Sequence, residues 1–478
     1  MRKAIFISIL LTVCTVVQAQ GIPEEKPVRL VFTTHFQGCP FGQSPVWGNW
    51  PEGSMARAMS YIRSHRQAMG EDHFAWLNCG EQFSDSYRLY PFEDIPGRIY
   101  DYLGYLQPGK EPFFHRQDIL FQDIYIARDS ISIGKFQADT GIKLGLFTSR
   151  ESTPEEVAKI SGLHLAVMAS GREPEVFKII NIAGDTVTVI NTGTTGKYIG
   201  VVDFRSATDF TAKTVDISGF PVDAEYEEHF KPLSDSMRVY FNAPVTTLTH
   251  TIRQSDALPG SSAYAGLFHR FQMEATDADV SLFACPVWGD SIPAGPITLK
   301  DIVRRFRYDN RLCVLELTGS EIKSYLEYTY GLRYHTMRRS TDDLLRMTRD
   351  RDGILRMRTA VYNLDEADGI CYEVDVSKPQ GRRVRIISMK DGNPFESGKL
   401  YRVTMNSHRA LSGGYLSRGT GLSEAVIKAR VIWTSEADYR VLLRNWMATQ
   451  DKIMPENQDN WQVIPELFVE AAKERWIE

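Results

Sequence analysis

IPAGPITLKDIVRRFRYDNRLCVLELTGSEIKSYLE, residues 292–327, decides how the second half of this chain folds. A Pro-Ala-Gly-Pro turn leads into a helix over Leu299–Phe306. The loop Arg307-Tyr308-Asp309-Asn310-Arg311 then opens onto Leu312–Leu317, a largely apolar run that reads as a buried strand. Cys313 lies inside that run and is expected to pack as a small core hydrophobe. Thr318-Gly-Ser-Glu321 is a capping box, in which a hydroxyl and a carboxylate satisfy each other's orphan backbone N–H groups as a helix begins. Helix, exposed loop, buried strand and capped helix in quick succession describe a packed domain with a loop at one strand end.

Around this segment, the C-terminal half starts near residue 245. It continues with a helix before residue 275 and a strand at Val280–Ala284. Asp391-Gly392 reads as the turn of a hairpin joining Val384–Met389 to Leu400–Met405. The N-terminal part alternates strands with helices. Strands are expected at Val28–Thr33 and Phe74–Leu77, with helices at Met55–Met69, capped by Ser54, and Arg98–Leu106. A hairpin strand over Ile124–Ile133 precedes strands at Ile142–Phe147, Leu163–Met168, Phe177–Ile182, Thr186–Asn191 and Tyr198–Phe204. This order implies a layered α/β sandwich. Residues 206–244 read as a linker carrying a surface helix at Ala224–Val239.

The 478 residues suffice for two or three domains, and 43% hydrophobic with 24% charged residues is a globular composition. The net charge is −5 and no Lys/Arg run is long enough to follow a phosphate backbone, which argues against double-stranded nucleic acid as a partner. Residues 1–19 read as a signal peptide. Arg2 and Lys3 precede the 14-residue apolar stretch Ala4–Val17, and Ala19 offers cleavage before Gln20. The stretch is too short for a membrane span, and an uncleaved anchor is the lesser alternative. The expected location is the periplasm or the extracellular space. Beyond Cys14 in the leader, Cys39, Cys79, Cys285, Cys313 and Cys371 fit no zinc spacing and name no disulfide pair.

Residues 292–327, together with YRVTMNSHRALSGGYLSRGTGL at 401–422 and DNWQVIPE at 459–466, resemble the bacterial 5′-nucleotidase / 2′,3′-cyclic-nucleotide 2′-phosphodiesterase family. LVFTTHFQG (30–38), GSMARAMSYIRSHRQAMGEDHFAWLNCGEQF (53–83), TGIKLGLFTS (140–149) and NTGTTGKYIGVVDF (191–204) follow the family's order in the first half. The resemblance implies an α/β and α+β architecture. A shortened calcineurin-like metallophosphatase sandwich at 28–205 would be followed by a 5′-nucleotidase C-terminal, nucleoside-binding-like domain at 245–478.

It also implies where chemistry is missing. The family's metal positions align with His35, Gln37, Glu81, Ser170 and Arg172, and none keeps its ligand type. After Leu103-Gly104-Tyr105 the chain reads LQPGKEPFFHRQ, without the family's Gly-Asn-His-Glu loop. A dinuclear site needs a full bridged shell to activate water, so no metal cofactor and no catalytic residue is expected. The alternative is a rebuilt site for a divalent metal such as Zn or Mn, using His35, Glu81 and His115. In the C-terminal half the resemblance makes Tyr308 and His408 the pair that sandwiches a base, with Asn310 and Asn406 toward ribose or base. Gly413 and Gly414 allow a tight turn near a ligand, and Arg409 is a candidate for phosphate. The family's phosphate-binding Arg segment is replaced by Pro286-Val287-Trp288-Gly289. The expected protein is a catalytically degenerate nucleotidase relative that binds a nucleoside or nucleotide. An active phosphoester hydrolase of nucleotide catabolism and a scaffold without small-molecule function are the alternatives, and the sequence names no protein partner.

Overall fold

Val31 and Phe32 are fully buried at the centre of the strand Val28–Thr34. The computed structural model describes residues 27–34, 40–49, 53–70, 73–79, 89–91, 94–102, 144–147, 152–171, 173–206, 208–350 and 353–474. Strand Val28–Thr34 runs parallel to Phe74–Cys79 and antiparallel to Tyr198–Ser206, which in turn pairs with Asp209–Asp216. A second sheet has the order Leu144–Phe147, Leu165–Met168, Thr186–Asn191, Glu175–Ile180. Leu165–Met168 is buried along its whole length, as a central parallel strand must be. The helix Met55–Met69 starts where expected, with the Ser54 hydroxyl accepting from Arg57 N, and buries Met55, Met59 and Ile62.

These elements belong to one compact unit that ends at Glu227 and excludes residues 43–49 and 85–94, which belong to the second unit with residues 228–478. Asp209–Asp216 therefore corrects the reading of a linker from residue 206. It is an edge strand of the first unit, in register with Tyr198–Ser206. The helix of the expected linker is Ala224–Asn242. The hairpin strand at Ile124–Ile133 falls outside the described residues.

The second unit is built on a five-stranded sheet of order Glu366–Asp368, Val280–Phe283, Leu400–Asn406, Leu312–Thr318, Val431–Thr434. The capping box forms as read: Thr318 N donates to Glu321 and Glu321 N to the Thr318 hydroxyl, opening the helix Gly319–Arg333. That helix packs Ile322, Tyr325, Leu326 and Tyr330 into the core beside Leu315 and Leu317. Each such side chain contributes ~1.5–3 kcal/mol of burial free energy. Cys313 is fully buried, as its position in the apolar run requires.

The expected Asp391-Gly392 hairpin does not form. Val384–Met389 pairs with Ile370–Asp375 in a separate three-stranded sheet, whereas Leu400–Asn406 sits at the centre of the five-stranded one. A turn does close at Gly392, with φ of 89° and Met389 N donating to Asn393 O, but the chain then leaves that sheet. Leu400–Asn406 is apolar and buried at Tyr401, Val403 and Met405, so it is drawn to the larger core. Among the described residues no helix is long and apolar enough to cross a membrane.

Candidate functional site

Leu312 stands opposite Asn406 in an antiparallel pair, so the loop before one strand and the turn after the other emerge together. Backbone and side chains stitch them. Ser407 N donates to Arg311 O at 2.8 Å, Arg311 N to the Ser407 hydroxyl at 2.9 Å, and His408 N to Asn310 Oδ1 at 3.2 Å. A third segment joins the seam: Tyr439 N donates to Asn310 O at 2.7 Å and Leu312 N to the Ser435 hydroxyl at 3.0 Å. Asp309 is ion-paired to the buried Arg440, which also binds Asp438 at 2.8 Å. The loop is thus pinned on both sides of Tyr308, whose ring is 71% exposed. His408 is also exposed, one residue into the short helix Ser407–Leu411. Among the described residues no ring stacks on Tyr308, and an exposed aromatic side chain on a pinned loop offers a stacking surface. The His408 imidazole is held below its ordinary pKa, first by desolvation and then by the adjacent Arg409 cation, with Asp365 opposing.

The remaining predicted residues have structural duties. Asn406 Oδ1 accepts from Arg409 N at 2.9 Å and caps the helix, and Asn310 Oδ1 is spent on His408 N. Both carboxamide oxygens are therefore committed to the loops rather than to a ligand. Arg409 needs the larger correction. Its side chain is 1% exposed and its guanidinium is fully engaged. Nε and one terminal nitrogen bind Asp365 Oδ2 at 2.9 and 2.5 Å, the other binds Asn363 Oδ1 at 3.0 Å, and the Tyr325 hydroxyl accepts at 2.7 Å. An arginine so held cannot reach a phosphate. Gly413 and Gly414 adopt φ of 69° and 62°, a left-handed pair that glycine accepts without strain. The space beside the turn belongs to Arg418. A Cβ on Gly414 would lie 3.0 Å from its guanidinium, which donates to Gly413 O at 2.7 Å and to the Tyr328 hydroxyl at 3.0 Å. Tyr415 lies between two guanidinium groups, those of Arg409 and Arg418, each 4.6 Å from its ring centre. Sequence reasoning missed Arg418 and Tyr415, although their i, i+3 spacing beside the glycine pair was a usable signal. Nothing in the sequence pointed to Asp365.

Residues 244–417 match the family model described as 5′-nucleotidase, C-terminal domain. This stretch is a 5′-nucleotidase C-terminal domain. The chain is similar at 27% identity over 186 residues to the trifunctional nucleotide phosphoesterase protein YfkN of Bacillus subtilis, covering 37% of this chain and 12% of that protein. It is similar at 26% identity over 194 residues to a 2′,3′-cyclic-nucleotide 2′-phosphodiesterase/3′-nucleotidase of Salmonella typhimurium, covering 36% and 27%. The aligned part thus spans about a quarter or less of these relatives. Over 91% of its length the chain shares a fold with a candidate 5′-nucleotidase from Staphylococcus aureus, with a TM-score of 0.58 at 13% identity and 99% of that chain covered. The fold is therefore that of the 5′-nucleotidases, a metallophosphatase unit followed by the C-terminal domain.

In the metallophosphatase-like unit, His35, Gln37, Glu81, His115 and Arg172 lie outside the described residues. The strand ends that would carry a metal site are described in part, and they carry hydroxyls and an amide. Thr34 and Thr192 share a hydrogen bond at 2.5 Å, and Thr192 also donates to Met168 O at 3.3 Å. Ser170 is buried, and its backbone N–H donates to Asn191 Oδ1 at 3.1 Å. Asn191 Nδ2 donates to Glu173 O at 3.0 Å, and the Trp76 indole donates to the Thr33 hydroxyl at 2.9 Å. Neutral hydroxyls and an amide that satisfy one another offer little to a hard divalent cation, which selects carboxylates and imidazoles. Among the described residues no group of three or more His, Cys, Asp or Glu is placed to hold a metal.

Proposed function

We propose that this is an exported 5′-nucleotidase-family protein that binds a nucleoside or nucleotide through its C-terminal domain and has lost hydrolysis. The observation that carries the binding half is the pinned, outward Tyr308 loop tied to the His408 turn. The degenerate half is supported by the ligand substitutions at His35, Gln37, Glu81, Ser170 and Arg172 and by the hydroxyl–amide network at the strand ends. Export is supported by the Arg2-Lys3 n-region and the apolar stretch that follows.

Recognition by this face rests on stacking, because the two asparagine oxygens and Arg409 are occupied within the fold. Phosphate adds little affinity in this reading, so adenosine binds about as well as AMP. Titration calorimetry with adenosine and AMP on wild type, Tyr308→Ala and His408→Ala tests it. Loss of the Tyr308 ring should weaken binding about tenfold to a hundredfold, the equivalent of ~1–3 kcal/mol of stacking. Binding unchanged in both variants would place the ligand elsewhere. No binding at millimolar nucleoside would favour the scaffold alternative, to which the internal commitment of Asn310, Asn406 and Arg409 already lends weight.

A further inference from the structure

His269 and Glu366 face each other in the core of the second unit, 3% and 1% exposed, with Nε2 of one 4.0 Å from Oε1 of the other. Hydrogen bonding fixes the state of the imidazole. The Gln272 amide nitrogen donates to the Tyr439 hydroxyl at 3.2 Å, which turns its carbonyl oxygen toward Ser281. The Ser281 hydroxyl gives its single proton to that oxygen at 3.1 Å. It must therefore accept from His269 Nδ1, 2.8 Å away. Nδ1 carries the proton, and Nε2 presents a bare lone pair with no hydrogen-bond partner. An ionised Glu366, whose Oε2 accepts from Arg333, would turn its Oε1 as a second acceptor toward Nε2 and leave that nitrogen unsatisfied.

We infer that Glu366 and His269 hold one proton between them, carried on the Glu366 carboxyl and offered to His269 Nε2. The O–H···N bond forms when the two atoms close by about 1 Å, the difference between their separation and a normal hydrogen-bond length. The surroundings favour the neutral acid. Arg333 opposes this through an ion pair in which Nη1 donates to Glu366 Oε2, but at 3.4 Å the contact is long, because the guanidinium also donates to Leu364 O at 2.6 Å and Ala257 O at 3.1 Å. Burial pushes Glu366 up to about 7, against the pull of Arg333 and the Trp461 indole and with the adjacent Asp365 carboxylate assisting. Burial likewise pushes His269 down to about 4, with Asp368 and Asp365 opposing and Lys390 assisting. Tyr330, Tyr334, Tyr372 and Cys285 also face Glu366, and burial raises all four, so none of them ionises near neutral pH.

The sign of the linkage follows. The unfolded chain, with Glu at 4.5 and His at 6.5, holds one proton on the pair between those values, and so does the folded chain. The pair is therefore neutral to stability across that window. Above it the folded state keeps a proton that the unfolded state has lost, so stability falls as pH rises toward and through about 7. This is a proton-holding device independent of the nucleoside reading. It adjoins that site through the chain, because the preceding residue, Asp365, holds Arg409 under the His408 turn.

The test uses the full chain with ¹⁵N-labelled histidine, with His269 assigned by its disappearance in His269→Gln. At pH 6 the expected signal is a neutral imidazole protonated at Nδ1. From pH 6 to 8.5 its Nε2 resonance should move with a midpoint near 7, and Glu366→Gln, which supplies a permanent donor, should abolish the movement. An imidazolium at pH 6, or a titration identical in wild type and Glu366→Gln, would overturn the inference. Should Glu366→Gln fail to fold, infrared difference spectra of the wild type decide instead. A buried carboxylic-acid carbonyl band present at pH 6 and lost by pH 8.5 is expected, and its absence at pH 6 would refute the proposal.

Discussion

Replacing Arg409 with Met removes a cation and keeps most of the volume of its stem, so the loss is one of charge pairing. Four protein groups lose a donor: the Asp365 carboxylate, the Asn363 side-chain and backbone oxygens, and the Tyr325 hydroxyl. Asp365 is fully buried and one of its oxygens already has no hydrogen-bond partner. Removing one member of a buried pair leaves an uncompensated charge and costs ~3–5 kcal/mol. At ~2–4 °C per kcal/mol for a domain of this size, the second unit should melt roughly 6–20 °C lower. The assay is thermal denaturation followed by circular dichroism, with a double-mutant cycle to Asp365→Asn. Because the carboxylate is the stranded charge, Asp365→Asn should recover part of the loss in the Arg409→Met background. A variant that melts like wild type but binds AMP more weakly than adenosine would refute the reasoning and return Arg409 to the ligand.

Other expectations follow from single contacts. Asn406→Ala removes the cap of the Ser407–Leu411 helix and should cost ~0.5–2 kcal/mol in urea unfolding. It should also loosen the His408 turn, read as weaker nucleoside binding with Tyr308 intact. Because desolvation and the adjacent Arg409 hold His408 below its ordinary value, its imidazole protonates in more acid solution than a free histidine, and its cation–π contribution to a stacked base is shifted with it. The His408-dependent change in nucleoside affinity should therefore have its midpoint below 6.5, and a midpoint above 6.5 that vanishes in His408→Ala would contradict this. If the proposed leader is cleaved, amino-terminal sequencing of the mature protein should begin at or near Gln20, and retention of Met1 on a cytoplasmic protein would rule out the leader.

What could be read in advance was local. The Thr318–Glu321 capping box and the Ser54 cap involve residues three apart, and both formed as read. Leu312–Leu315 and Leu317 were apolar, and all of them are buried, with Glu316 the half-buried exception. The Asp391-Gly392 turn was equally visible, yet the strands flanking it went to different sheets. Strand partners are chosen by which apolar face each can cover, and no turn residue records that choice. Arg409 failed for the same reason. Its position beside His408 suggested a ligand contact, while its true partner, Asp365, lies 44 residues earlier in the chain. Conversely, the stitching of the Tyr308 and His408 loops depends on the register of Leu312 with Asn406, which became visible only once the strands were paired.

The central claim is a nucleotidase fold that binds without hydrolysing, and metal content tests it most directly. Protein purified from its own compartment without chelators should contain no stoichiometric pair of divalent ions by elemental analysis. The same sample should release no phosphate from AMP or 2′,3′-cyclic AMP with added Mn²⁺ or Zn²⁺ if, as proposed, His35, Gln37, Glu81, Ser170 and Arg172 do not make a bridged shell. Two tightly bound Zn²⁺ or Mn²⁺ per chain, with phosphate release abolished by Glu81→Ala, would contradict the account and establish a rebuilt hydrolase.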